Sequence, residues 1–126
     1  MKAFIIIAFI QGIYYFLTGV WGIVDIESFM MVTGPKVDIW LVKTVSVLVI
    51  AISLVFLYAG IRKRISKETI LLAVASALGF IIIDVYYTAI DRISAVYLMD
   101  ALAQLVLLIG WGIAYYQASR HHVSPL

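Results

Sequence analysis

Four long apolar runs, separated by short polar segments, dominate the pattern of this chain. They cover about residues 3–24, 39–61, 69–90 and 94–116. Each run is close to the roughly 20 residues that cross a hydrocarbon core as a helix. Lipid obliges backbone groups to bond within one segment, which favours helices over isolated strands. The pattern predicts one transmembrane domain over residues 1–126, an all-α integral membrane four-helix bundle.

The segment between the first two runs, residues 25–38, carries more apolar surface than a hydrated loop should. Its apolar stretch is followed by the turn-forming residues Thr33, Gly34 and Pro35. We therefore expect a short interfacial helix that lies on the mouth of the bundle. Simple packing at the interface and a lid over a site are both compatible with that expectation.

Composition supports the membrane assignment and excludes several functional classes. Apolar residues make up 65% of the chain and charged residues 13%, against roughly 45–50% and 25% in soluble domains. The chain contains no cysteine, which excludes disulfides and thiol chemistry. It has no nucleic-acid-binding motif, and so the expected surroundings are a lipid bilayer without nucleic-acid partners.

The distribution of basic residues predicts the orientation. Six Lys or Arg residues lie on one side of the four runs and two on the other, and basic residues concentrate in cytoplasmic loops. Both termini should therefore be cytoplasmic, in a multi-pass protein of the plasma membrane. The six are Lys2, Arg62, Lys63, Arg64, Lys67 and Arg120, and the two are Lys36 and Arg92.

Candidate site residues are the polar side chains inside the apolar runs. At a rise of about 1.5 Å per residue, four of them lie about 7–10 Å from the predicted outer ends of the helices. Ionisable groups at such depth usually face the bundle interior and pair with one another. These four are Thr18, Lys43, Asp84 and Asp100, and the full candidate set adds Gln11, Tyr14, Tyr15, Tyr87 and Gln104.

This polar layer has two interpretations. We expect Lys43 to lie within ion-pair or one-water reach of Asp84 or Asp100, and in the first interpretation this pair is sealed and fixes the helix register. The second is an outward-facing pocket for a small polar ligand, an ion or a proton. We favour the pocket because the layer has more polar groups than one ion pair can satisfy, and unsatisfied polar groups in hydrocarbon are costly. The same layer is also compatible with a contact face for another membrane protein.

The layout resembles that of the DoxX-like group of small bacterial membrane proteins. The resemblance rests on the first helix with Gly12, Tyr14 and Gly19, on residues 25–29 and 40–43, and on Asp100 and Gln104 in the last helix. It implies a prokaryotic four-helix bundle. Some members of that group are linked to quinone-coupled oxidoreductases.

Three functions are compatible with these features. The first is a binding or accessory membrane protein, the second a proton-coupled small-molecule transporter that works as an oligomer, and the third a membrane subunit of a quinone- or lipid-linked enzyme. The sequence has no haem, flavin or metal constellation, and so we predict no cofactor and no metal site. A chain of 126 residues is also compatible with a homo-oligomer or a larger complex.

Overall fold

A computed structural model describes residues 2–34, 38–90 and 96–120 of the chain. All regular structure in these residues is helical, and four of the helices are long and apolar enough to cross a membrane. The all-α class and the four predicted apolar helices are confirmed. The helices are α1 (Lys2–Val24), α2 (Ile26–Thr33), α3 (Ile39–Arg62), α4 (Lys67–Ala89) and α5 (Tyr97–Arg120).

The last helix differs from its predicted bounds. It continues to Arg120, past the predicted end at residue 116, because Ala118 is still buried against the core and keeps that turn of helix packed. The predicted start at residue 94 lies outside the described residues, as do Lys36 and Arg92. The segment between the first two spans contains the short helix expected there, α2.

A tight turn joins α3 to α4. Lys63 takes a left-handed conformation at the end of α3, and the Arg64 amide donates to the Ala59 carbonyl at 3.1 Å. Ile65 is fully buried, and Ser66 then caps α4 by accepting from the Thr69 amide at 3.1 Å. This turn defines one end of the bundle, the 63–66 end, and α2 lies at the opposite end, the α2 end.

Small residues let α1 pack closely on α3. A Cβ atom added at Gly19 would lie 2.8 Å from the Ser46 carbonyl oxygen, and one added at Gly22 would clash with the Ser46 Oγ. Close backbone approach at small residues is a common means of helix association in membranes. The contact fixes α3 against α1 along the half of the bundle that ends at α2.

The helices form two pairs, which are joined mainly where α1 contacts α5. α1 packs along α3 and also touches α5, while α4 packs on α5. Although α3 and α4 are consecutive, they make few contacts with each other. A space therefore remains between α3 and the α4–α5 pair.

Large apolar side chains cover the outside of the bundle. Leu17, Leu71 and Leu102 are each more than 60% exposed, which suits contact with lipid tails. Polar side chains such as Gln11, Asp84 and Gln104 are at least 97% buried. These three polar side chains therefore point inward, where their partners decide what they do.

Candidate ligand-binding cavity

Gln11 is a fully buried connector of three helices. Its Oε1 accepts a hydrogen bond from Trp111 Nε1 at 2.6 Å, and its Nε2 donates to the Ala73 carbonyl at 3.2 Å. Both ends of the amide thus have partners, one on α5 and one on α4. Gln11 does not line the cavity between α3 and the α4–α5 pair. Its amide has the complete set of hydrogen-bond partners expected of a structural residue.

Tyr15 lies one helical turn further towards the α2 end. Its hydroxyl donates to Gln104 Oε1 at 2.8 Å and lies 3.3 Å from Ser76 Oγ. Its ring contacts Phe56 and Phe80 edge-on, with ring centroids 5.8 and 5.7 Å apart. The Tyr15 side chain lies at the edge of the packed core and also lines the cavity.

Asp100 receives two hydrogen bonds on the same oxygen. The Tyr14 hydroxyl donates to Oδ1 at 2.5 Å, and Gln104 Nε2 donates to the same atom at 3.3 Å. Tyr14 itself is placed by its position on the face of α1 that also carries Tyr15 and Thr18. The carboxyl group is thus held firmly from one side.

Asp84 lies next to Asp100 and has an unused acceptor. It is only 3% exposed, and its carboxyl group is close enough to that of Asp100 to interact with it directly. Its Oδ2 has no hydrogen-bond partner among the described residues. One turn further along α4, the buried Thr88 hydroxyl also has no hydrogen-bond partner among the described residues. We call Asp84 and Asp100 the carboxyl pair.

The carboxyl pair lies in the wall of a cavity of about 680 Å³ between α3 and the α4–α5 pair. Most of the lining is aliphatic or aromatic, and the polar atoms are concentrated on the side formed by α1, α4 and α5. The volume falls within the roughly 300–1,000 Å³ of small-molecule sites, which usually combine apolar walls with a few placed polar groups. Apolar lining residues include Val42, Val45, Val49, Phe80, Ile83, Met99 and Ala103.

The short helix α2 lines the cavity at its end of the bundle through Phe29, Val32 and Thr33. It is fixed to α1, because Trp21 Nε1 donates to Ser28 Oγ at 2.7 Å and the Trp21 and Phe29 rings pack edge-on, 5.1 Å apart. Asp25 caps the helix by accepting from the Ser28 amide at 3.3 Å. The segment expected from its apolar residues is therefore part of the cavity wall.

The structure brings together six of the nine candidate residues and leaves three elsewhere. Gln11 lies in the packed core, Lys43 is exposed on α3, and Tyr87 is 38% exposed beside Tyr86 at the α2 end of α4. The six that line the cavity are Tyr14, Tyr15, Thr18, Asp84, Asp100 and Gln104.

The predicted ion pair of Lys43 with Asp84 or Asp100 is not present among the described residues. Val42, Val45 and Val49 follow the helical spacing that faces the cavity, and Lys43 lies off that stripe. Its long aliphatic stem can carry the ammonium group to the membrane surface. The two carboxyl groups of the pair interact with each other, and Asp100 also accepts from Tyr14 and Gln104.

Sequence reasoning missed the apolar walls of the cavity. Val42, Val45 and Val49 recur at intervals of three and four, but every side of a membrane helix is apolar. Such a stripe facing a cavity is therefore indistinguishable from one facing lipid. Ser46, which lines the cavity within this stripe, was the one signal that could have marked the inward side.

Comparisons with known protein families, with curated proteins and with solved structures found no match. The geometry of this cavity is therefore the basis on which a function is proposed.

Proposed function

We propose that this protein binds a small amphiphilic molecule in the cavity between α3 and the α4–α5 pair. The observation that carries the proposal is a cavity of about 680 Å³ with apolar walls and a buried carboxyl oxygen, Asp84 Oδ2, that no described residue satisfies. A buried acceptor without a partner is costly, and a ligand donor would remove that cost. The membrane is the bacterial plasma membrane in this proposal, and the role is binding or accessory.

Photolabelling tests the proposal. The purified protein in lipid nanodiscs is irradiated with a long-chain alcohol that carries a diazirine in its tail, and labelled residues are mapped by mass spectrometry. We expect saturable labelling at Val45, Val49 and Phe80, which line the cavity. Labelling spread evenly over the lipid-facing leucines, without saturation, would contradict the proposal.

A matched pair of variants controls that experiment. Ala103→Trp places a large ring in the cavity wall, whereas Ala75→Trp adds the same ring at an exposed position of α4. Labelling inside the cavity should fall strongly in the first variant and stay unchanged in the second. Equal labelling of the two variants would mean that the probe binds elsewhere.

The proposed orientation places the α2 end outside the cell, in keeping with the basic residues at the 63–66 end. The absence of cysteine from the chain makes single-cysteine labelling straightforward. Met31, 85% exposed on α2, and Glu68, exposed in the first turn of α4, are suitable positions. An impermeant maleimide should label Met31→Cys in intact cells and should not label Glu68→Cys, and the reverse pattern would invert the orientation.

The carboxyl pair also favours a second candidate, proton-coupled transport. Carboxyl groups inside membrane helices commonly serve as proton carriers, and here two of them lie beside a cavity. Proteoliposomes containing a pH-sensitive dye would test this candidate under a potassium diffusion potential. A proton flux above that of protein-free liposomes, measured with and without an added amphiphile and lost in Asp84→Asn, would favour transport over binding alone, and no excess flux under either condition would count against it.

A further inference from the structure

We infer that the amphiphile carries a cationic amine, bound at the carboxyl pair, with an aliphatic tail in the cavity. This inference rests on the proposed function and deepens it by naming the chemistry of the ligand. The observation behind it is that the buried Asp84 and the half-buried Asp100 interact with each other in the wall of one apolar cavity.

The charges of the carboxyl pair favour a cationic ligand. Among the described residues, no Lys or Arg forms an ion pair with either member of the carboxyl pair. Intramembrane carboxylates almost always find a partner, and two of them side by side repel each other unless a shared proton or a cation lies between them. An anionic head group would add to that repulsion.

The hydrogen bonds at the carboxyl pair favour a ligand that donates hydrogen bonds. Asp100 Oδ1 already accepts from Tyr14 and Gln104, while Asp84 Oδ2 is buried and accepts from no described residue. An ammonium group has several N–H donors on one nitrogen and can serve both carboxyl groups at once. A ligand that only accepts hydrogen bonds would leave Asp84 Oδ2 unsatisfied.

A divalent metal ion fits the same position less well. No group of three or more His, Cys, Asp or Glu side chains lies together in the described part of the chain. A hard divalent cation takes six or more oxygen ligands, which the carboxyl pair is far from providing. The predominantly apolar lining of the cavity is also unfavourable for a bare ion.

The cavity walls suit the rest of an amphiphilic amine. The rings of Phe29 and Phe80 and the side chains of Val45 and Val49 line the space, and aromatic faces attract cations as well as alkyl chains. Since α3 makes few contacts with α4, a tail can enter between them from the bilayer. The ligand would then be a long-chain amine drawn from the membrane.

Three probes of equal chain length separate the head-group chemistries: dodecylamine, dodecan-1-ol and dodecanoate. Binding of each radiolabelled probe is measured to the full chain in phosphatidylcholine nanodiscs, with partition into empty nanodiscs subtracted. We expect dodecylamine to bind saturably and at least about tenfold more tightly than dodecan-1-ol, a factor equivalent to about 1.4 kcal/mol. Dodecanoate should bind most weakly.

The double variant Asp84→Asn/Asp100→Asn tests the assignment of the head group. Its affinity for dodecylamine should fall about tenfold, to that for dodecan-1-ol, while its affinity for dodecan-1-ol should not change. Retained alcohol binding also demonstrates that the variant is folded. Glu68→Gln, which removes an exposed carboxylate at the 63–66 end, should bind all three probes as the unaltered chain does.

The outcomes separate this inference from the proposed function. Equal binding of dodecylamine and dodecan-1-ol by the unaltered chain would overturn the amine assignment and leave the cavity as a binding site. Preferred binding of dodecanoate would have the same meaning. No saturable binding of any of the three probes would overturn the proposed function as well.

Discussion

The two halves of the bundle differ in how completely their buried polar groups are hydrogen-bonded. Towards the 63–66 end, Gln11, Trp111 and the Ala73 carbonyl form a closed set of hydrogen bonds inside a packed core. Towards the α2 end, the carboxyl pair faces a cavity of about 680 Å³, and Asp84 Oδ2 has no partner among the described residues. Burial is nearly complete for Gln11 and Asp84 alike.

Burial alone therefore does not reveal the role of a polar group in a membrane helix. What separates Gln11 from Asp84 is the number of partners that the neighbouring helices provide. A group with all its partners stabilises the fold. A group that lacks one, beside a space large enough for a ligand, is a candidate for binding.

The largest expected effect concerns the helix contact that supports the cavity half. Gly19→Ala adds a single carbon that would lie 2.8 Å from the Ser46 backbone oxygen, so that α1 and α3 must move apart. We expect a loss of about 3 kcal/mol in the free energy of unfolding, at the upper end for overpacking. The measurement is denaturant-induced unfolding of the purified protein in micelles, followed by circular dichroism.

Gly79→Ala is the matched control, because a Cβ at Gly79 meets nothing within 4 Å. It should be neutral or slightly stabilising, since alanine favours helix. Equal losses in the two variants would show that the α1–α3 contact does not hold the cavity half together.

The next effect tests the packed half. Gln11→Leu leaves the Trp111 indole N–H buried without an acceptor, and we expect a loss of about 2 kcal/mol on that ground. Adding Trp111→Phe removes the stranded donor and should recover part of the loss. Gln117→Leu, at an exposed position of α5, is the control. If the losses in the free energy of unfolding of Gln11→Leu and Trp111→Phe simply add in the double variant, the two side chains are not coupled.

A smaller effect is expected within the cavity half. Tyr14→Phe removes one of the two donors to Asp100 Oδ1, and Gln104 keeps the other. We expect a loss of about 1 kcal/mol, typical of one hydrogen bond. Unfolding of Tyr116→Phe, which alters an exposed hydroxyl on α5, provides the baseline. A Tyr14→Phe curve that coincides with that baseline would mean that the Tyr14 bond contributes nothing.

The sequence predicted the helices well because each is a long apolar run, and even α2 was recognisable from its excess of apolar residues. Counting residues at a fixed rise predicted that Asp84 and Asp100 share one layer of the spans, and both line one cavity. It did not predict their mutual contact, and it assigned Lys43 to them instead. Depth says nothing about rotation around the helix axis, and an apolar helix has no polar face to reveal that rotation.

The smallest expected effect is also the sharpest test of the comparison. Asp84→Asn keeps the shape of the side chain and changes an oxygen that accepts from no described residue. If that oxygen is unpaired in the protein without ligand, its replacement removes no hydrogen bond and relieves the repulsion from Asp100. The free energy of unfolding should therefore change by less than about 0.5 kcal/mol, the range of substitutions away from structural features. The same unfolding measurement in micelles, made beside Gln11→Leu, checks it. A loss as large as that of Gln11→Leu would mean that Asp84 is a structural residue of the same kind, and the distinction between the two halves would fall.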